Sequence, residues 1–193
     1  MDDEDDTSNA LHFGSSPGPT TAMYNLLLDA LAVHGADEAP QETYQILMTN
    51  ILKRHEADGG PANTNPASVP TPASFNAVLR ACANISYHSV TNTKEERVRD
   101  EAMEVTFGTF DAMRQSDAVQ RNSATYTYML ETMAKCLPPS KSKGNICHGL
   151  WVHATQHERV INQGIINAMV STNIPSNGID FDKWHAQHLL DPN

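Results

Sequence analysis

The sequence predicts an all-α fold, an open α-solenoid of helix-turn-helix repeats, and three observations carry that expectation. One pattern occurs three times: Ala22-Met23-Tyr24-Asn25-Leu26-Leu27-Leu28-Asp29, Ala73-Ser74-Phe75-Asn76-Ala77-Val78-Leu79-Arg80 and Ala124-Thr125-Tyr126-Thr127-Tyr128-Met129-Leu130-Glu131. Its aromatics stand at 24, 75 and 126, 51 residues apart each time. Apolar side chains then follow at helical spacing, as in Tyr24, Leu27, Leu28, Leu31 and in Phe75, Val78, Leu79, Cys82, so each stretch is a helix with one buried face. Similar helices recurring along a chain are the mark of a repeat architecture, in which each unit buries its apolar face only by stacking on a neighbour.

The elements follow in order. Residues 1–20 are acidic and then Gly/Pro/Ser-rich, a composition that cannot bury enough apolar surface to order itself. A first helix is expected from Thr21 to Val33, capped by Thr20 or Thr21 and stopped by Gly35. A second runs from about Pro40 to Glu56, with Tyr44, Leu47, Met48, Ile51 and Leu52 as its stripe. The Gly/Pro-rich stretch 57–72 is a loop. The second hairpin pairs a helix over 72–84 with a long one from about Lys94 to Gln115, across a polar connection. Ala102, Val105, Thr109 and Ala112 line one side of that long helix, and Met103, Phe107, Phe110 and Met113 the adjoining side. The third hairpin starts over 123–136, ends at Leu137-Pro138-Pro139 because proline denies helical geometry to its predecessor, and resumes from about Asn145 to His157. A short helix from about Ile161 to Val170 closes the stack, and residues 173–193 form a tail in which Phe181 and Trp184 can pack back. The units are thus 21–71, 72–122 and 123–172. The extra residues fall after the second helix in the first unit but between the two helices in the second, so the helices repeat while the connections do not.

Composition narrows the function. A formal net charge of −10 opposes a generic nucleic-acid or membrane binder held by bulk charge, although a local basic strip remains compatible with it. Three widely spaced cysteines suit a reduced compartment better than a disulfide scaffold. No apolar run approaches the ~18 residues of a membrane span. The start, Met1-Asp2-Asp3-Glu4-Asp5-Asp6, is the opposite of an Arg-rich transit peptide. No nucleophile elbow, phosphate loop or zinc-hydrolase motif is present, and no enzymatic activity or cofactor is expected. Cys147, His148, His153 and His157 hold two histidines four apart, but adjacent Cys147 and His148 diverge by roughly 100° on a helix, so no metal site is expected. Tyr24, Phe75 and Tyr126 are read as core packing, as is Cys82.

Helix pairs that open with a small residue, an aromatic, Asn and then apolar residues resemble the pentatricopeptide repeat family. Tyr24-Asn25-Leu26-Leu27-Leu28 and Phe75-Asn76-Ala77-Val78-Leu79 carry the likeness best, and Tyr126-Thr127-Tyr128-Met129-Leu130 carries it less closely. Glu101-Ala102-Met103-Glu104-Val105-Thr106-Phe107-Gly108-Thr109-Phe110-Asp111-Ala112-Met113 looks like a stretched form of the family's second-helix pattern. The likeness spans about residues 20–172, in units longer than the family's, which implies loop insertions and a short or fragmentary member.

The resemblance implies a non-catalytic module for single-stranded RNA, acting in processing, stability or translation of a transcript in the mitochondrion or chloroplast; without a visible transit peptide the cytoplasm stays open. Such proteins read about one base per repeat through two or three side chains. The position after the aromatic gives Asn25, Asn76 and Thr127; the position ending each unit gives Thr71 and Asn122, with the end of the third unit left open. Amides and hydroxyls both donate and accept, so a pair of them can match the edge of a base. The family's phosphate-facing lysine corresponds to Val33, Asn84 and Lys135, and its base-clamping valine to Ala22, Ala73 and Ala124. Arg80 stands between Asp29 and Glu131 on the inner face. The expected RNA contacts are therefore Asn25, Thr71, Asn76, Asn122, Thr127, Arg80 and Lys135, with weak affinity for the isolated chain and neither a membrane nor a small-molecule partner. The alternative is a protein-interaction scaffold of tetratricopeptide-like repeats, favoured by the acidic charge, although the Trp/Leu-Gly-x-x-Tyr opening of those repeats is missing. A cationic strip would favour RNA and a continuous acidic one would favour protein.

Overall fold

The computed structural model describes residues 18–62, 67–85, 93–116 and 119–172, and every regular element among them is helical. The acidic segment 1–17, most of the polar connection before the long helix, and the tail with Phe181 and Trp184 lie outside the described residues.

Helix α1 (Thr21–His34) starts where the Thr20 side chain accepts from the backbone N–H of Met23 at 3.3 Å, and stops at Gly35, whose φ of 66° suits a residue without a Cβ. Helix α2 (Ala39–Ile46) has Pro40 in its first turn; it passes through a π-helical stretch, Leu47–Leu52, into α3 (Lys53–Ala57). Helix α4 (Pro72–Asn84) follows Thr71, whose backbone N–H donates to Ser74 Oγ at 3.2 Å. Helix α5 (Thr93–Gln115) is the long one. Helix α6 (Ser123–Cys136) opens with a full capping box: Asn122 Oδ1 accepts from the Thr125 N–H at 3.2 Å, and Thr125 Oγ1 from the Asn122 N–H at 3.2 Å.

Helix α7 (Lys141–Val152) begins four residues before the expected Asn145, because Ser140 caps it by accepting from the Lys143 N–H at 3.1 Å and Gly144 is carried inside the helix. It continues as a π-helical stretch, His153–His157. Helix α8 (Gln163–Ser171) is capped by Asn162, which accepts from the Ile165 N–H at 3.0 Å.

Four helices pack in chain order, α1 on α4, α4 on α6 and α6 on α8, while α2, α5 and α7 pack alongside them. All four begin at a Thr or Asn cap: Thr20, Thr71, Asn122 and Asn162. Aligned on those caps, Gly164-Ile165-Ile166-Asn167 takes the register of Ala22-Met23-Tyr24-Asn25. Helix α8 is thus capped and packed like the three opening helices before it.

The centre of the molecule is α4, in which all residues from Ser74 to Ala83 except Arg80 are buried. It has α1 on one side and α6 on the other, and its alanines at 77, 81 and 83 let those helices approach. Leu28, Phe75, Ile51 and Val105 belong to one core, and Leu79, Tyr126, Trp151 and Ile165 to the next. Phe75 and Tyr126 are fully buried and Tyr24 partly so.

The two tyrosines also contact the π-helical stretches. Asn50, within the first stretch, donates from Nδ2 to the Tyr24 hydroxyl at 3.2 Å, and His153, opening the second, meets the Tyr126 hydroxyl through Nδ1 at 2.8 Å. In each widened turn a polar side chain meets the hydroxyl of a tyrosine on the opening helix. Phe75 has no hydroxyl, and the second helix of its hairpin, α5, is α-helical throughout. Phe107, expected among the packed residues of α5, stands 42% exposed.

Candidate nucleic-acid interface

Five of the expected RNA-contacting residues, Asn25, Thr71, Asn76, Asn122 and Thr127, collect at the N-terminal ends of α1, α4 and α6, and the first four meet in two pairs that the resemblance implies; Arg80 and Lys135 stand toward the C-terminal ends of α4 and α6. Asn25, half-buried on α1, donates from Nδ2 to Thr71 Oγ1, the cap of α4, at 3.1 Å. Asn76, in the same place on α4 and only 9% exposed, donates from Nδ2 to Asn122 Oδ1, the cap of α6, at 3.0 Å. Both bonds span 46 residues of chain, so one repeating junction makes both. At the third junction a Cβ added to Gly164 would lie 3.2 Å from Thr127 Oγ1 and 3.1 Å from Asn162 Oδ1, so those two side chains stand over one glycine. Asn162 caps α8 as Thr71 caps α4 and Asn122 caps α6.

The pairs differ in how fully they are satisfied. Asn76 Oδ1 also accepts from Thr125 Oγ1 at 2.8 Å, so its amide is held at both ends by the α6 cap. Asn25 Oδ1 is buried and has no partner. A buried acceptor left unpaired costs about 1–3 kcal/mol, so Asn25 sits at α1 against the stability of the fold. Residues that break a local rule in this way concentrate at functional sites.

The charged positions form a row with alternating sign. Arg80 Nη1 lies 3.5 Å from Asp29 Oδ1, with Asp29 exposed and Arg80 partly so. Lys135 donates from Nζ to the Ala83 carbonyl, at the C-terminal end of α4. Asn84, the equivalent of Lys135 one unit earlier, donates to Ala32 O at 2.9 Å, so this position ties each opening helix to the end of the one before. Burial raises the Glu131 carboxyl above its ordinary range, with Lys135 opposing. Neither the cationic strip nor the continuous acidic strip of the two readings is present among these residues.

Sequence reasoning missed the fourth opening helix, with Asn162, Gly164 and Asn167. A signal was available: small residue, apolar residue, apolar residue, Asn, then Met169 and Val170 at the helical spacing. Ile166 in place of the aromatic, and a 40-residue step after two of 51, hid it. No described helix is long and apolar enough to cross a membrane. Comparison with protein-family models, with curated proteins and with solved structures found no match to this chain.

Proposed function

We propose that the chain is a short open α-solenoid of pentatricopeptide-like repeats that binds single-stranded RNA without catalysis, in the processing, stability or translation of an organellar transcript. One observation carries the reading: at the first two junctions the residue after the aromatic, Asn25 or Asn76, donates to the cap of the next opening helix, Thr71 or Asn122. Two polar side chains with both donor and acceptor atoms are thereby brought together at the junction, and they must turn out of their mutual bond to read one base per repeat. The organelle and the RNA class come from the family resemblance. Affinity is expected to be weak, since Arg80 and Lys135 are both engaged within the protein and phosphate contacts normally supply much of the binding energy.

The test is fluorescence anisotropy of a randomised single-stranded RNA pool at two salt concentrations, with wild type, Asn25→Ala and the Asn25→Ala/Asn76→Ala double variant. Binding that weakens with salt and falls in both variants supports the reading. Absence of binding at low salt, or binding indifferent to both substitutions, refutes it. The second reading, a protein-interaction scaffold, is favoured by the Arg80–Asp29 pair and the engaged Lys135, which leave this row without net positive charge. It predicts no RNA binding at either salt concentration.

A further inference from the structure

Helix α1 carries an apolar face that no described residue covers. Met23 is 58% exposed, Leu26 73%, Leu27 46% and Val33 60%. These residues recur at helical spacing with Ala30, so they form one stripe. Single exposed apolar residues need no explanation, but a contiguous stripe marks a contact surface.

The repeat itself says what kind of contact. In α4 the positions equivalent to Met23, Leu26, Leu27 and Ala30 are Ser74, Ala77, Val78 and Ala81, all at most 3% exposed. In α8 they are Ile165, Ala168, Met169 and Thr172, all at most 5% exposed. Helix α4 is covered by α1, and α8 by α6. In α6 the set is Thr125, Tyr128, Met129 and Thr132, buried except for the partly exposed Tyr128, so the face left open on α1 is the one that receives the preceding opening helix at the internal junctions.

Among the described residues, the C-terminal helix α8 is open in the complementary sense. Leu28, Leu79 and Leu130 take the same position in α1, α4 and α6, share a core with Phe75, Tyr126 and Ile165 of the following opening helices, and are all fully buried. Their equivalent in α8, Val170, is 58% exposed, and Asn167, the equivalent of Asn25 and Asn76, is exposed beside it. Size is complementary as well. The smaller residue, valine, stands at the position that would enter the bulkiest receiving set, Met23, Leu26 and Leu27, where the internal junctions use leucine.

We propose that this chain associates head to tail with a second copy of itself, α8 of one copy docking on the Met23–Leu26–Leu27 face of α1 of the next. The contact continues the α1–α4, α4–α6 and α6–α8 junctions across two molecules, with Val170 over the stripe and Asn167 against Thr20 as Asn25 is against Thr71. Such an interface is heterologous, so it leaves one free end of each kind and does not stop at a dimer. The inference stands on packing alone and holds whether or not RNA binds.

Sedimentation velocity over about a hundredfold range of concentration tests it. The wild type should show a sedimentation coefficient that rises continuously with concentration, through dimer to longer species. Leu26→Asp/Leu27→Asp blocks one end and Val170→Asp the other, all at exposed positions, and unchanged far-ultraviolet circular dichroism shows that the variants fold. Each variant alone should stay monomeric, and an equimolar mixture should stop at a dimer, because only one compatible pair of ends remains. A wild type that stays monomeric throughout overturns the proposal, including the cases in which deleting residues 1–17 or residues 173–193 restores association and so identifies that segment as the occupant. A dimer that survives Val170→Asp, as a symmetric contact between two α1 stripes would, overturns it too.

Discussion

Replacing Asn76 and Asn25 by alanine, one at a time, should give stability changes of different size and opposite tendency, although both side chains occupy the same place in equivalent helices. Asn76 makes two hydrogen bonds, to Asn122 Oδ1 at 3.0 Å and from Thr125 Oγ1 at 2.8 Å. Its removal leaves no partner stranded. Asn122 Oδ1 keeps the Thr125 N–H at 3.2 Å, and the Thr125 hydroxyl lies 3.3 Å from Asn122 Oδ1 and can turn to it. The cost is therefore two neutral bonds, about 1 kcal/mol each, or about 2 kcal/mol in total. For a chain of this size that lowers Tm by about 4–8 °C. Asn25→Ala also loses one neutral bond, to Thr71, but it removes a buried oxygen with no partner. The two effects offset, and the variant should be as stable as wild type or up to about 1 kcal/mol more stable. Urea unfolding followed by circular dichroism decides, with equal slopes required so that midpoints translate into stability. Equal losses at the two positions, or a loss above about 1 kcal/mol for Asn25→Ala, would refute the claim that Asn25 is held at the expense of the fold.

Other consequences follow from single contacts. Lys143 is 4% exposed and donates from Nζ to the carbonyls of Ala134 at 2.9 Å and Leu137 at 3.0 Å, so it caps the end of α6 with a positive charge. Lys143→Met should destabilise by about 2–3 kcal/mol in the same unfolding assay, since it strands two carbonyls. Gly35→Ala should cost about 1 kcal/mol, because its φ of 66° is strained for any residue with a Cβ. Burial, then Arg121, hold His153 below its ordinary value of 6.5, against the opposing pull of Glu158. The unfolded chain then takes up this proton first, so stability should decline as pH falls below about 6.5, and His153→Gln should flatten that part of a plot of urea midpoint against pH.

The helices were legible because their signals are local. Thr20, Thr71 and Asn122 stand at caps, the apolar residues follow the 3.6-residue period, and Gly35 and Pro138 sit at stops. Helix α7 was misplaced because Gly144 suppressed a start that Ser140 fixes. The π-helical stretches were not legible, since each coincides with a contact to a tyrosine hydroxyl on another helix, and which polar side chain reaches that hydroxyl is set by tertiary packing. The partners of the charged residues were hidden for the same reason. Lys135 could be placed on its helix from sequence, but its hydrogen bond to Ala83 O crosses 52 residues, and Arg80 reaches back to Asp29 on another helix.

The pairing of caps with the residues after the aromatics joins the two scales. Thr and Asn are favoured at an N-cap because a short side chain with an oxygen satisfies a free backbone N–H. The same chemistry suits the edge of a base, so a cap recruited to bind RNA has to be shared with its helix. At the second junction that sharing is expensive: turning the Asn76 amide outward breaks both of its bonds and disturbs the Asn122–Thr125 box. At the first, turning Asn25 breaks one bond and frees an oxygen that the fold leaves unpaired. If these residues read RNA, the first junction carries more of the binding energy than the second, even though the second matches the repeat pattern better.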